Sequence, residues 1–166
     1  IWTVAADGGE PRRLSIDVPA DELVNAVERR TAGDGAEDLA ISPDGRLAAF
    51  IVHGELFVTE IRSEDDQEIA APPTVRVTRT AAREQEPVWT PDGAAIVFVS
   101  DRDGSFDVFR VRPADADAGW TGSFDFVTEP VVATPAEETG PRISPDGREL
   151  AWLEGQGRRM VRPLAG

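Results

Sequence analysis

The chain has 166 residues, 40% of them apolar and 29% charged, enough to bury a core and keep a surface in water. Its 17 basic side chains face 31 acidic ones, a formal charge of −14 that repels phosphate backbones and anionic membrane surfaces. Nucleic acid and membrane are therefore poor partners, and with no cysteine, disulfides, thiol catalysis and cysteine-held zinc are excluded.

The chain opens with IWTVAADGGEPRRLS, which reads as strand, Gly-Gly turn, strand. It has no initiator Met, basic leader or apolar leader core, so it reads as an interior piece of a longer polypeptide. No apolar stretch approaches the length of a membrane span. GGEPRR lacks the spacing of a phosphate loop, and its glycines fit a turn between strands. Residues 18–35 then interrupt the strand pattern. Leu23, Val24 and Val27, with Asp21 as N-cap, suit a short amphipathic helix, and an irregular crossing between units suits them equally.

From Ile41 onward one phrase recurs about every 50 residues: ISPDGRLAAF, WTPDGAAIVF and ISPDGRELAW. Each tetrad suits a tight turn: Pro43, Asp44 and Gly45, then Pro91, Asp92 and Gly93, then Pro145, Asp146 and Gly147. Proline presets φ, aspartate bonds its own backbone, and glycine accepts positive φ. A short strand comes before each tetrad (DLAI, EPVW, GPRI). After each comes a strand apolar on both faces (RLAAFIV, AAIVFVS, RELAWLE), as a strand sandwiched between two neighbours must be. Further turns (HG, DRDG, GQG) lead to third strands ELFVTEI, FDVFRVR and RRMVRPL. Fourth strands are visible at TVRVTRT and, more weakly, EPVVAT.

The period and the strand count predict an all-β chain, a partial β-propeller of four-stranded antiparallel blades in an incomplete ring. The units run over 1–17 (the end of a preceding blade), 18–35 (an inter-blade insertion), 36–80, 81–135 and 136–166 (an incomplete blade), all within one propeller fragment. Two acidic, proline-bearing insertions, 62–73 and 112–126, are expected in solvent on the rim. Unpaired edges and apolar faces at the ends of such a piece predict self-association of the isolated chain.

Chemistry-bearing residues are sparse. His53 is the sole histidine and sits in a predicted hairpin turn, with no G-x-S-x-G elbow to make a triad. Asp101, Asp103 and Asp107 surround Gly104 and form a weak calcium candidate, though the terminal Glu of an EF-hand loop is missing. Asp44, Asp92 and Asp146 recur with the repeat, which favours a structural turn role over catalysis. Glu137 and Glu138 are sequence neighbours, which does not define a glycosidase pair. No catalytic residue, cofactor or metal ligand is otherwise assigned. Trp2, Trp89 and Trp152 fall on strands and are expected in the core. Trp120, with Phe124, lies in an acidic insertion and is the expected exposed aromatic, a rim cover or a partner contact.

EPVWTPDGAAIVFVSDRDGSFDVFRV resembles the repeat of TolB-like propellers, also called PD40 or WD40-like repeats, and the units at 39–78 and 141–166 resemble it less closely. ISPDGRLAAFIVHGELFVTEI together with VTRTAAREQEPVWTPDG is similar to the propeller region of tricorn-type proteases, a group of serine peptidases. That likeness implies a non-catalytic segment serving peptide access, gating or domain assembly, with a peptide, a protein or the rest of its own parent chain as partner. The peptidase domain's motifs are not present, so no catalytic residue carries over. Two alternatives remain: a TolB-like protein-interaction propeller without enzyme activity, or the access propeller of another hydrolase of prolyl-oligopeptidase or amidohydrolase type. Lack of cysteine fits cytoplasm or periplasm alike.

Overall fold

The computed structural model describes residues 2–4, 9–10, 12–13, 35–62 and 71–164, and the chain divides into two compact units, Ile1–Gly33 and Asp34–Gly166. In the first unit β1 (Trp2–Thr3) pairs antiparallel with β2 (Arg12–Arg13), the two strands expected there. The helix or crossing expected over 18–35 lies outside the described residues except for Gly35, as does most of the insertion at 62–73.

The second unit holds three antiparallel sheets, each built from strands in chain order. The first sheet is β3 (Ala36–Ile41), β4 (Leu47–Val52), β5 (Glu55–Glu60) and β6 (Thr74–Arg76). The second is β7 (Glu84–Trp89), β8 (Ile96–Ser100), β9 (Asp107–Pro113) and β10 (Phe126–Val132). The third has β11 (Glu138–Ile143), β12 (Glu149–Glu154) and β13 (Arg158–Pro163). Two sheets of four strands and one of three are the partial propeller that the repeat predicts.

Packing explains why the second strand of each repeat is so apolar. Along β8, Ile96 and Phe98 enter a core shared with Ala49, Ile51, Leu56 and Val58 of the first sheet. Val97, on the opposite face, enters a second core with Leu150 and Trp152 of the third sheet. The middle sheet is thus covered on both sides, and all five β8 residues are buried. The outer two sheets each keep apolar side chains in solvent: Leu39 and Ile41 on the first, Leu153 and Val161 on the third.

All three first strands carry the same irregularity. Register shifts fall between Glu37 and Ala40, Gln85 and Val88, and Thr139 and Arg142. Each bulge contains a residue at positive φ, namely Asp38 (51°), Glu86 (54°) and Gly140 (62°). The bulges are linked in series. The Glu86 backbone N–H donates to Asp38 Oδ2 at 2.9 Å, and the Gly140 N–H donates to Glu86 Oε2 at 2.6 Å. A side-chain carboxylate on one sheet therefore satisfies the backbone donor that the next sheet's bulge frees.

The 112–126 insertion is exposed over 114–118, as expected, but departs from expectation at Trp120. It folds back through a one-turn helix, α1 (Gly119–Gly122), and Trp120 is buried instead of solvent-facing. Its ring meets Trp89 edge-on at 5.0 Å and stacks on Phe126 at 5.9 Å, while its Nε1 donates to Gly93 O at 3.0 Å. An indole that can bury its area and satisfy its one donor gains more inside than on the rim. The outer strand β10 accordingly starts at Phe126, earlier than the EPVVAT segment suggested. Phe124 does stay in solvent, 84% exposed.

Trp120→Ala should cost about 3–5 kcal/mol in urea unfolding, whereas Phe124→Ala should stay within about 0.5 kcal/mol of the parent chain. Equal effects would contradict the placement of the two aromatics.

Candidate functional site

The three tetrads close the same way. Ser42 Oγ donates to Asp44 Oδ1 at 2.6 Å and accepts the Leu47 N–H at 2.9 Å, and Asp44 Oδ1 also accepts the Arg46 N–H at 3.1 Å. Thr90 with Asp92, and Ser144 with Asp146, repeat this pattern. Gly45, Gly93 and Gly147 hold φ of 73°, 70° and 73°, a conformation that a side chain resists. The hydroxyl is the part that sequence reasoning overlooked, since it joins the aspartate to an amide at or just before the start of the next strand. These hydrogen bonds, from the hydroxyl first and then the backbone, hold all three aspartates below the usual carboxylate range.

The turns also stack from sheet to sheet. A Cβ added to Gly93 would lie 3.9 Å from Pro43 Cδ, and one added to Gly147 would lie 3.6 Å from Pro91 Cδ. Beside this stack, the first strands of all three sheets line an open groove of about 410 Å³. Leu39, Ile41, Pro43, Pro87 and Trp89 make its apolar wall, and Arg142 brings a cation to it. Trp89 is fixed across the seam by its Nε1 donating to Ala40 O at 3.1 Å. Arg142 is exposed, and its guanidinium donates to Pro141 O at 2.7 Å, leaving further donors toward solvent. Among the described residues the groove lining contains no Ser, Cys, His or carboxylate.

At the other end of β3, a wider cleft of about 600 Å³ is lined by Glu37, His53, Arg83 and Asp101. His53 occupies the turn between β4 and β5 at φ 52°, and among the described residues neither Ser nor Cys lines the cleft beside it. The structure does not bring the calcium candidates together. Asp101 Oδ1 accepts the Arg83 N–H at 2.7 Å, while Asp103 is exposed and Asp107 is buried at the start of β9. One aspartate is thus committed to a turn and another to a sheet seam. Among the described residues no three His, Cys, Asp or Glu side chains are grouped to hold a metal.

Buried acids went unnoticed in the sequence. Glu84 and Glu138 begin the first strands of the second and third sheets, and each backbone N–H reaches the preceding sheet, at Gly54 O (2.8 Å) and Phe106 O (2.6 Å). Burial pushes the Glu84 carboxyl up, against hydrogen bonds and the positive charge of Arg102, which pairs with it at 3.0 Å. Arg102 also lies over the rings of Phe109 (4.6 Å) and Phe98 (5.3 Å). The shared Thr-x-Ala-x-Glu spacing of Thr80 to Glu84 and Thr134 to Glu138 was the available signal, because both threonines bond the glutamate four residues on.

No family model matches the chain, and no curated protein matches it. Solved structures do. One described as TolB from Agrobacterium tumefaciens has TM-score 0.54 and 20% identity over 92% of this chain and 44% of its own. TolB from Acinetobacter baumannii gives 0.51 and 21%, over 81% of this chain and 34% of its own. The fold is that of a TolB-like β-propeller. A puromycin-hydrolyzing peptidase of Mycobacterium tuberculosis shares it, with TM-score 0.56 and 18% identity over 99% of this chain and 29% of its own. This propeller chain spans less than half the length of each of the three.

Thr90→Ala should cost about 1–3 kcal/mol by stranding the buried Ala95 N–H, and Thr90→Ser should recover most of it. Because Asp92 is held low, its contribution is complete above its ordinary value of 3.8 and is lost as pH falls through the lowered one. Asp92→Asn should therefore flatten the acid limb of a stability–pH curve. An acid limb identical to that of the parent chain would contradict the turn geometry.

Proposed function

We propose that this chain is a non-catalytic propeller segment that holds an extended peptide or protein segment along its first strands. The observation that carries this reading is the apolar groove beside the stacked tetrads, with Arg142 at its edge and, among the described residues, no nucleophile or general base in its lining. Apolar walls with one guanidinium suit a segment bearing hydrophobic side chains and a carboxylate. The blade division at 36–80, 81–135 and 136–166 is the working partition for this reading, and Phe124, exposed beside α1, is a candidate for an additional partner contact.

Within that class we favour a segment of a tricorn-like serine peptidase, serving access or gating toward a catalytic domain elsewhere in the parent chain. The HGELF hairpin supports it, and so does the fold shared with a peptidase of which the matched region is 29%. The TolB neighbours favour the second reading, an interaction propeller without enzyme activity. The apolar residues left in solvent on the two outer sheets make a second copy of the chain the expected partner of the isolated piece.

An immunoblot of source cells with an antibody against this chain separates the two readings. A product several times larger than 17.9 kDa supports the peptidase parent, and a product the size of one closed propeller overturns it. Fluorescence anisotropy with a library of labelled apolar, carboxylate-bearing peptides tests the groove. Arg142→Glu should weaken binding at least tenfold, roughly 1.4 kcal/mol. Binding unchanged by that substitution would remove the groove from the account.

A further inference from the structure

The seams between sheets treat their buried acids differently. At the first seam Glu84 meets the guanidinium of Arg102. At the second, the corresponding Glu138 and Asp107 are both almost wholly buried, at 0% and 2% exposure, and the Glu138 N–H donates at 2.6 Å to the carbonyl of Phe106, the residue before Asp107. Each keeps one oxygen without a donor, Glu138 Oε2 and Asp107 Oδ1, while Thr134 Oγ1 serves Glu138 Oε1 and Ser105 Oγ serves Asp107 Oδ2 at 3.2 Å.

The charged groups on the surrounding elements are engaged elsewhere. Arg102 in the β8–β9 turn is held by Glu84 and Ser100, Arg110 of β9 by Glu129, and Arg158 of β13 by Glu154, the β12 residue opposite Glu138. Asp101 of the same turn accepts from Arg83, Asp103 and Glu137 are exposed, and Arg162 of β13 donates to Val131 O. Among the described residues no cation compensates these two neighbouring buried carboxyls, and such a pair cannot both stay ionised.

We propose that Asp107 and Glu138 share one proton, one carboxyl donating its O–H to the other carboxylate, and that this proton locks the third sheet onto the second. Burial first, and then the neighbouring Asp107, raise the Glu138 carboxyl. The folded chain therefore retains a proton that the unfolded chain has already released. The stabilisation is complete at acid pH below the unfolded value and is lost as pH rises through the folded one. Loss of the proton sets two like charges against each other beside the bond from the Glu138 N–H to Phe106 O, so the seam loosens there.

The test is carboxyl-detected NMR of the whole chain from about pH 4 to about pH 9, with urea midpoints and exchange of the Glu138 amide in parallel. One carboxyl of the pair should hold its proton well above the exposed acids. The Glu138 amide should lose protection as that carboxyl titrates. Glu138→Gln, whose amide donates without titrating, should flatten the fall in urea midpoint on the alkaline side, and Asp107→Asn provides the same test should Glu138→Gln not fold. Both carboxyls titrating with the surface acids would overturn the proposal, as would an unchanged pH profile in the variants. A calcium-dependent midpoint that vanishes in Glu138→Gln would also overturn it, by putting a cation where the proton is placed.

Discussion

A backbone amide freed by a bulge must find an acceptor, and here the acceptor comes from the adjacent sheet. Asp38 serves Glu86, and Glu86 in turn serves Gly140, so each bulge is completed only when its neighbour is in place. Positive φ at Asp38 and Glu86 is a costly conformation for a side-chain-bearing residue, and it aims the carboxylate across the seam. Because the bulges set where the first strands bend, they also set how the tetrad turns stack and how the groove beside them is walled. Gly140 has no carboxylate to extend the series, and the same strand instead supplies Arg142.

Around this spine the packing is that of plates covering one another. The middle sheet gains two covered faces, one through Phe98 and Trp89 and the other through Val97 and Val108. Trp120 ties its own insertion to the first seam by packing on Trp89. The acidic composition is also used inside the molecule: Glu84, Glu138 and Asp107 are buried at seams, where a charge is tolerated only with a partner.

Much of this architecture was legible in the sequence because repetition amplifies weak signals. Three copies of a Ser/Thr-Pro-Asp-Gly tetrad and three doubly apolar strands located β3–β5, β7–β9 and β11–β13 with only small shifts at their ends. Within the insertion at 112–126, which is otherwise mostly exposed, Trp120 alone among the aromatics defied expectation, because its burial depends on a cross-seam pocket that no local pattern encodes. The bulges were invisible for a related reason: Asp38, Glu86 and Gly140 share a backbone conformation without sharing a side chain. No residue of the groove was marked as such by a sequence pattern. Its residues emerged when three sheets brought Leu39, Trp89 and Arg142 to one place. Asp107, one of the weak calcium candidates, begins a strand and is buried at a seam, which the DRDG turn pattern did not signal.

The central claim is that carboxylates couple successive sheets through their bulges. Native-state hydrogen exchange of the Gly140 amide, compared between the parent chain and Glu86→Ala, tests it most directly. The account predicts that this amide is protected in the parent chain nearly as well as the amides of β8. It also predicts that the variant loses that protection together with the amides of β11, while β8 and β9 keep theirs. A Gly140 amide that exchanges at solvent rates in the parent chain, or that is indifferent to Glu86, would contradict it.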